Sequence, residues 1–328
     1  MNIYDIAREA GVSIATVSRV INNKGTVSEN TRAKVEAVLE KSGYTPSAIA
    51  RGMVSKSLKT VAVLTIDIRV PHYAQQAYTI EQEFSRRGYE VILCNTGGGV
   101  EATIRYLRAV MEKQVDGIIL VGSIFSSIGQ DQQVEALLRN APVVLSNGRL
   151  NLPNASSVCL DDEAGAALAV KHMVAKGKKN LWYVRDLPTA GAAAKQDGFL
   201  KACACYAEQV CGRVIETEFS VEGGKRAVLD LLSRGCDFDG IICGEDETAV
   251  GVVKGLLSAG LRIPEDVVVS GYNNSTYASM CDPRLTSIDN KPEQVAHMCV
   301  QLLEEMMAGE PGGTVQIFTP ELVEGLTT

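Results

Sequence analysis

The sequence of 328 residues lacks any apolar run close to the roughly 20 residues that a helix needs to cross a bilayer. It also lacks the features of a secretory signal peptide. Its nine cysteines are an odd number, scattered from Cys94 to Cys299, and imply no disulfide framework. These absences predict a protein of the reducing cytoplasm, without a membrane partner.

Motifs of metal and catalytic sites are missing as well. The three histidines are far apart, and the closest cysteine group, Cys203, Cys205 and Cys211, has no fourth ligand nearby. There is no Gly-x-Ser-x-Gly elbow and no helical His-Glu-x-x-His pair. The glycine run at 97–99 lacks the spacing of a dinucleotide-binding loop. We therefore expect no enzyme, no metal and no cofactor.

Charge is divided unevenly along the chain. Residues 1–59 hold nine lysines and arginines against five acids, a charge of +4, whereas the whole chain carries -7 and the remainder therefore -11. A basic head on an acidic body predicts local contact with the phosphates of a nucleic acid while the rest of the chain stays in solution.

The first 45 residues have the apolar spacing of three short helices. Gly11 and Gly43 predict the ends of the first and third helices, and Ser13 and Ser28 predict the starts of the second and third. The apolar residues recur at helical intervals: Ile3, Ile6, Ala7 and Ala10, then Val17, Val20 and Ile21, then Val35, Val38 and Leu39. This pattern is typical of a helix-turn-helix, with the second helix free to enter a DNA groove.

Several strings in this head are specific to one family. They are Ile3-Tyr4-Asp5-Ile6-Ala7, Gly11-Val12-Ser13, Thr16-Val17-Ser18-Arg19-Val20-Ile21-Asn22, Gly43-Tyr44 and residues 48–52. Together they resemble the lactose/galactose-repressor (LacI/GalR) family of bacterial transcription regulators. The alternative is an ordinary three-helix bundle whose exposed polar residues are merely solvated.

The resemblance implies which residues contact DNA. Three would read base edges in the major groove: Ile14, Ala15 and Arg19. Three more would lie near the phosphate backbone: Thr16, Ser18 and Asn22. Arg19 is the candidate for a bidentate contact with guanine, since a guanidinium matches the two acceptors of that base.

A hinge helix is implied between the head and the body. The helical stretch after Pro46 is only about eight residues, too short to be stable alone. By the resemblance, it pairs with its dimer mate and wedges the side chain of Met53 into the minor groove, where the family usually has Leu. The alternative for Met53 is a plain linker residue.

From residue 60 onward, short β-rich runs alternate with amphipathic helices, which predicts an α/β fold with parallel sheets. The string Asp116-Gly117-Ile118-Ile119 recurs 123 residues later as Asp239-Gly240-Ile241-Ile242. We therefore expect two similar, doubly wound lobes. The predicted strands include Val61–Ile66, Val91–Cys94, Gly117–Val121, Val143–Leu145, Leu181–Val184, Gly240–Cys243 and Val267–Ser270.

The family resemblance extends more loosely through the body and implies a fold like that of type I periplasmic binding proteins. The expected organisation is a helix-turn-helix domain at 1–45, a hinge helix and linker at 46–58, and an effector-binding and dimerisation core at 59–328. Lobe one would comprise about 59–159 and 290–318, and lobe two about 160–289 and 319–328. An effector would bind in the cleft between the lobes, at the carboxyl ends of parallel strands.

Eight effector-binding residues follow from the resemblance: His72, Tyr73, Asn147, Asp161, Lys195, Phe219, Asp246 and Asn273. The family commonly has Arg where Lys195 stands and Asp where Asn273 stands. Lysine keeps the positive charge but loses the bidentate fork, and asparagine loses the negative charge. The alternative for each polar position is a solvated or capping side chain, and for the two aromatic residues it is plain core.

The sequence thus predicts a sequence-specific, homodimeric transcriptional regulator that acts as a repressor. It would bind a palindromic DNA operator and respond to a small molecule, a sugar or a related metabolite. Two alternatives stay open: control by a protein co-regulator, and a sugar-binding or enzymatic core with a vestigial head. A nonspecific architectural DNA binder is disfavoured by the acidic body.

Overall fold

The computed structural model describes residues 2–21, 25–43 and 57–328. The chain divides into two compact units, and the boundary in sequence lies between Lys59 and Thr60. We call residues up to Lys59 the head and the residues from Thr60 onward the body. The hinge helix predicted within residues 46–58 falls almost entirely outside the described residues.

The head contains three described helices, α1 (Ile3–Ala10), α2 (Ile14–Ile21) and α3 (Glu29–Ser42). The side chain of Asn2 caps α1 by accepting the backbone N–H groups of Tyr4 and Asp5. Gly11 ends the helix with a φ of 68°, a left-handed conformation that glycine adopts without steric cost. Local side-chain and backbone preferences therefore fix where the first helix of the motif begins and ends.

The second and third helices begin at the predicted serines. The Oγ of Ser13 accepts the backbone N–H of Thr16 at 3.1 Å, and the Oγ of Ser28 accepts that of Thr31 at 3.3 Å. Five fully buried side chains, drawn from all three helices, form the small core of the head: Ile6, Ala7, Val17, Val20 and Val35. The predicted helix-turn-helix is confirmed.

The body contains two six-stranded sheets. The first uses β1 (Thr60–Thr65), β2 (Glu90–Asn95), β3 (Gly117–Val121), β4 (Val143–Ser146), β5 (Ala155–Leu160) and β11 (Val315–Phe318). The second uses β6 (Asn180–Arg185), β7 (Cys211–Glu216), β8 (Gly240–Cys243), β9 (Val268–Tyr272), β10 (Thr286–Asp289) and β12 (Glu321–Val323).

Helices cover both faces of each sheet. Around the first sheet they are α4 (Pro71–Arg86), α5 (Val100–Glu112), α6 (Phe125–Ile128), α7 (Gln132–Leu138) and α13 (Pro292–Met307). Around the second they are α8 (Asp162–Ala175), α9 (Ala190–Cys205), α10 (Val221–Ser233), α11 (Asp246–Ser258) and α12 (Thr276–Met280). Strand residues alternate between the two faces, so that Ala62 and Leu64 join one apolar cluster and Val61 and Val63 the other.

The two sheets have the same topology. Their strand orders are β11-β5-β4-β3-β1-β2 and β12-β10-β9-β8-β6-β7. Every pairing is parallel except that of β12, which runs antiparallel to β10. The predicted fold class, two doubly wound parallel lobes, is therefore confirmed. The chain passes between the lobes after β5, after β10 and after β11, so each lobe combines segments that are distant in sequence.

The sequence repeat marks equivalent positions in the two lobes. Gly117 begins β3 and Gly240 begins β8, the strands at matching places in the two sheet orders. The preceding aspartates have the same role, because Asp116 accepts the backbone N–H of Thr60 and Asp239 accepts that of Asn180, each from the start of the neighbouring strand. The repeated aspartate therefore forms the same hydrogen bond between two adjacent strands in each lobe.

Helices α10 and α11 approach so closely that their contact needs glycine. A Cβ on Gly251 would lie 2.0 Å from the carbonyl oxygen of Val221, and one on Gly224 would lie 2.0 Å from that of Thr248. We expect Gly251→Ala to lower the free energy of unfolding by about 1–3 kcal/mol despite alanine's better helix propensity, because the backbones must separate. Chemical denaturation followed by circular dichroism measures this. Lys254→Ala on the exposed face of α11 is the control, and a loss no larger than the control's would contradict the prediction.

Of the helices that the structure describes, none has both the length and the apolar character that crossing a membrane requires.

Candidate functional site

The outer face of α2 is the candidate nucleic-acid interface. Ile14, Ala15 and Arg19 are exposed on it, whereas Thr16 and Ser18 are half-buried. This division follows from helical periodicity, because the opposite face of the same helix is occupied by buried Val17 and Val20. Two further predicted DNA-contact residues, Asn22 and Met53, lie outside the described residues.

The exposed face of α2 offers apolar and small side chains together with one long cation. Ile14 is 40% exposed and is available for an apolar contact. Arg19 stands in the last turn of α2, and its aliphatic stem approaches Gly25. A guanidinium held at the end of a short helix, beside small residues that let it approach, has the chemistry to contact a base edge and a phosphate.

A polar cavity lies between the two lobes of the body. Its residues come from segments that follow the carboxyl ends of β1, β3, β4, β6, β8, β9 and β10. Strand ends of parallel sheets meet at one edge, which is why the cavity forms there. Its volume is about 30 Å³, enough for one or two water molecules. A larger ligand either extends into the neighbouring space of about 360 Å³, which His72, Asn273 and Pro292 also line, or requires the lobes to separate.

Five of the eight predicted effector residues line this cavity: His72, Tyr73, Asn147, Lys195 and Asn273. The other three have different surroundings. Asp161 caps α8 by accepting the backbone N–H of Ala164 at 3.0 Å. Asp246 is buried and accepts the N–H of Ser275 and the hydroxyl of Ser287, both at 2.6 Å. The structure does not bring Phe219, which is half-buried, into the cavity lining.

A buried ion pair dominates the cavity. The Nζ of Lys195 lies 3.0 Å from Oε1 of Glu245 and donates a second hydrogen bond to the carbonyl oxygen of Gly244 at 2.8 Å. Both charged side chains are less than a tenth exposed. The ammonium also lies 3.9 Å from the centre of the Tyr272 ring, a cation–π distance. Lys195 is thereby held in place by an anion, a carbonyl group and an aromatic face.

Glu245 lies in the second lobe and contacts a residue of the first. Its Oε2 accepts the side-chain amide of Asn273 and lies 3.8 Å from Nδ1 of His72, which belongs to the first lobe. Asn290 continues the chain of contacts by donating to Oδ1 of Asn273 at 2.7 Å. The sequence prediction missed Glu245, although the residue directly precedes the predicted Asp246 and ends the loop after β8.

Glu245 also contacts the two positions at which the sequence departs from the family resemblance. The resemblance implies Asp at position 273, and here the side-chain amide of Asn273 donates to the carboxylate of Glu245. Lys195 lacks a guanidinium fork, and its donors are directed at Glu245 and Gly244 instead. Lys195 and Glu245 therefore satisfy each other within the cavity lining.

A second carboxylate, Asp162, follows the predicted Asp161 and lies behind the lining residue Gly191, on which a Cβ would be 3.1 Å from its Oδ2. Its Oδ1 accepts the hydroxyl of Tyr272 at 3.0 Å, and Asn147 provides a further hydrogen bond. Burial raises the pKa of this carboxyl above its ordinary value, while the nearby Lys195 opposes the shift. A step of one residue along a helix turns the side chain by about 100°. Asp161 therefore caps α8, whereas Asp162 is directed toward Tyr272 and Asn147.

Burial and charge act in opposite directions on the two basic groups. Burial alone lowers the pKa of Lys195, but the combined attraction of Glu245, Asp162 and Asp186 outweighs it and leaves that pKa raised. For His72, burial is the largest influence and lowers the pKa despite the attraction of Glu245. Lys195 is therefore charged at neutral pH and His72 is neutral.

Asp186 is a third buried carboxylate of this region. Its Oδ2 accepts the hydroxyl of Thr248 at 2.5 Å, while its Oδ1 has no hydrogen-bond partner. Burial, followed by repulsion from Glu245, raises the pKa of Asp186 to about 7. A carboxyl with a raised pKa binds its proton more tightly in the folded protein than in the unfolded chain, so its contribution to stability falls between about pH 4 and pH 7.

We expect Asp186→Asn to raise the free energy of unfolding by about 1–3 kcal/mol at pH 8 and to change it little at pH 4, since the amide carries no charge to desolvate. Urea denaturation at both pH values measures the difference. Asp266→Asn is the control with the opposite sign, because the exposed Arg262 lowers the pKa of Asp266 to about 2. An equal gain at both pH values would show that Asp186 is not the titrating group.

Within residues 2–21, 25–43 and 57–328, no group of three or more His, Cys, Asp or Glu side chains is arranged to hold a metal ion. Cys203 is buried, whereas Cys205 and Cys211 are exposed.

Comparisons with known proteins cover both units of the chain. Residues 2–47 match the family described as bacterial regulatory proteins, lacI family, and residues 170–328 match the periplasmic binding protein-like domain. An HTH-type transcriptional regulator of Lachnoclostridium phytofermentans is 32% identical over 331 residues, covering 100% of this chain and 99% of the relative. Catabolite control protein A of Priestia megaterium is 33% identical over 328 residues, covering 99% and 98%.

Solved structures share the fold over the full length. The crystal structure of the lac repressor dimer bound to operator and the anti-inducer ONPF superposes with a TM-score of 0.89 and 26% identity. The match covers 100% of this chain and 98% of that chain. The similarity therefore includes the head as well as the two lobes of the body.

Proposed function

The chain belongs to the lacI family of bacterial regulatory proteins, and we propose that it is a transcriptional repressor that binds a palindromic DNA operator as a homodimer and responds to a small molecule in its interlobe cleft. The observation that carries this proposal is the exposed face of α2, where Ile14, Ala15 and Arg19 stand on a helix-turn-helix in a chain that its regulator relatives match from end to end.

DNA recognition is assigned to the head. Arg19 reads guanine, Ile14 and Ala15 contact apolar base edges such as the thymine methyl group, and Thr16 and Ser18 lie against the phosphate backbone. Asn22 and Met53 keep the roles that the family resemblance implies for them. Two heads related by a two-fold axis would read two half-sites, so the operator is palindromic.

Effector binding is assigned to the cavity of the body. His72, Tyr73, Asn147, Lys195 and Asn273 line it. We add Glu245, which also lines it, and Asp162, which is hydrogen-bonded to Asn147. The cavity contains a contact between the lobes, from His72 to Glu245. A ligand that competes for Glu245 changes this contact and with it the relative stability of the open and closed lobes. Coupling to DNA follows when only one of those states has high operator affinity.

We propose that the cleft binds its ligand without converting it. The relatives are named as transcriptional regulators, which agrees with a protein that is not an enzyme. The alternatives of a protein co-regulator and of an enzymatic core with a vestigial head have no support in these comparisons. A sugar or a related metabolite is the effector class that the family resemblance favours.

The proposed function is tested by selecting binding sites from a random duplex library with the full chain. We expect enrichment of one palindrome, with half-sites about one helical turn apart, and binding of that duplex by a dimer in sedimentation analysis. Equal binding of random and selected duplexes would show a nonspecific DNA binder. Failure to retain any duplex would overturn the assignment of DNA recognition to the head.

A further inference from the structure

The only lysine that lines the cavity has no hydrogen-bonding direction left for a ligand. Its ammonium has three N–H donors. Two are used by Gly244 and Glu245, and the third side faces the ring of Tyr272. An anionic ligand would have to displace Glu245 from Lys195, which would leave a buried carboxylate without its partner.

Hydrogen-bond acceptors, in contrast, remain available. Asn290 lines the cavity and is only 7% exposed. Its Oδ1 is buried and has no hydrogen-bond partner. A buried acceptor without a donor is unfavourable by about 1–3 kcal/mol, so a ligand that donates a hydrogen bond there removes a cost already present in the free protein.

Carboxyl groups outnumber basic groups in and around the cavity. Lys195 interacts with three carboxylates, Glu245, Asp162 and Asp186. The remaining basic group of the lining, His72, is held neutral by burial. Burial raises the pKa of both Asp162 and Asp186, so a cation placed beside them would favour their ionised forms.

We propose that the cleft binds a ligand carrying a protonated amine or another cationic nitrogen, and that it disfavours ligands with a phosphate or carboxylate. The cationic nitrogen would be placed between Asp162, Glu245 and the free oxygen of Asn290. This inference rests on the proposed function, since it specifies the effector class of the same cleft. It assigns Glu245 and Asp162 as the residues that determine specificity for charge.

Ser123 provides a position from which to test the charge of the cleft. It lines the cavity after β3 and is 8% exposed. A Cβ built on Gly191 would lie 3.2 Å from its Oγ and 3.1 Å from Oδ2 of Asp162, so the hydroxyl and the carboxylate border the same point. Cysteine has nearly the shape of serine, and Ser123→Cys therefore places a thiol beside Asp162.

The experiment compares two thiol reagents of similar size on the full chain carrying Ser123→Cys. They are the 2-ammonioethyl and 2-sulfonatoethyl methanethiosulfonates, one cationic and one anionic. Each forms a mixed disulfide with the thiolate and releases methanesulfinate. Site-resolved mass spectrometry gives the rate at the introduced thiol and at the exposed native Cys205 in the same sample.

We expect the cationic reagent to react with the introduced thiol at least about tenfold faster than the anionic one, after division by the same ratio at Cys205. Asp162→Asn should reduce this preference several-fold, since it removes the adjacent charge and keeps the side-chain shape. Asp186→Asn is the second neutral variant and should cause a smaller reduction, because Asp186 contacts Thr248 and lies near Gly244, whereas Asp162 borders the same point as Ser123.

A preference no greater than that at Cys205, or one that neither neutral variant reduces, would overturn the inference. If the introduced thiol reacts with neither reagent, the cleft admits no solute and the inference fails as well. The duplex selection described above uses no ligand. A chain that enriches a palindrome without this charge preference therefore remains a regulator and loses only the proposed ligand class.

Discussion

The Lys195→Met variant is expected to lose about 3–5 kcal/mol of the free energy of unfolding, because removing one partner of a buried ion pair leaves the other charge uncompensated. Methionine fills a similar volume, so the loss of packing is small. The charge left behind is that of Glu245, which is 6% exposed and would retain the amide of Asn273 as a donor.

Denaturant unfolding followed by the fluorescence of Trp182 measures this effect, since Trp182 is the single tryptophan and lies in the same lobe. Lys201→Met is the matched control. Lys201 is on the same helix, α9, and pairs with Glu163 at 2.6 Å, but its side chain is 66% exposed. An exposed pair contributes about 0–1 kcal/mol, so the control should change stability little.

The double variant Lys195→Met with Glu245→Gln is expected to recover part of the loss, because it removes the uncompensated charge. A loss in the single variant that does not exceed the control's would contradict the importance of the pair. A double variant whose loss equals the sum of the two single losses would show that Glu245 stabilises the protein independently of Lys195.

The Arg19→Ala variant is expected to bind the selected palindrome about 100-fold more weakly or worse. Each bidentate contact with guanine contributes about 1–3 kcal/mol of discrimination, and a dimer loses two of them. Fluorescence anisotropy with the palindrome and with a scrambled duplex of the same length measures the change. Affinity for the scrambled duplex should fall much less, because that binding depends on phosphate contacts.

Arg8→Ala is the control for charge. Arg8 is an exposed arginine of α1 that pairs with Asp5 at 2.7 Å, so the variant removes the same charge from the head without altering the outer face of α2. We expect it to weaken binding to both duplexes by a similar, small factor. Equal losses for Arg8→Ala and Arg19→Ala on both duplexes would show that Arg19 contacts phosphate rather than bases.

The sequence predicted the strands that are apolar runs, whereas the strands it missed are polar or at a sheet edge. The predicted strands are runs of Val, Ile and Leu, such as β1 and β3, whose side chains are buried on both faces. The strands that were not named are polar or at an edge. β5 and β10 are rich in serine and threonine, and β11 exposes most of its side chains. Apolar periodicity is weak in such segments.

The sequence by itself determined the helix-turn-helix, its capped helices, the α/β class of the body and the family. These features depend on local spacing, since helix caps, apolar stripes and strand runs are set by residues close together in the chain. The exposed positions of Ile14, Ala15 and Arg19 followed in the same way from the periodicity of one short helix.

Only the tertiary structure decided which polar residues share the cleft. Lys195, Glu245 and Asn273 are brought together by the order of strands in the second sheet, and His72 joins them from the other lobe. In two pairs of neighbouring residues, helical phase at a helix start decides which member lies at the cleft. The pairs are Asp161 with Asp162 and Glu245 with Asp246. A one-residue step turns a side chain by about 100°, from the cavity to a cap or to the packed interior, and only the folded chain fixes that phase.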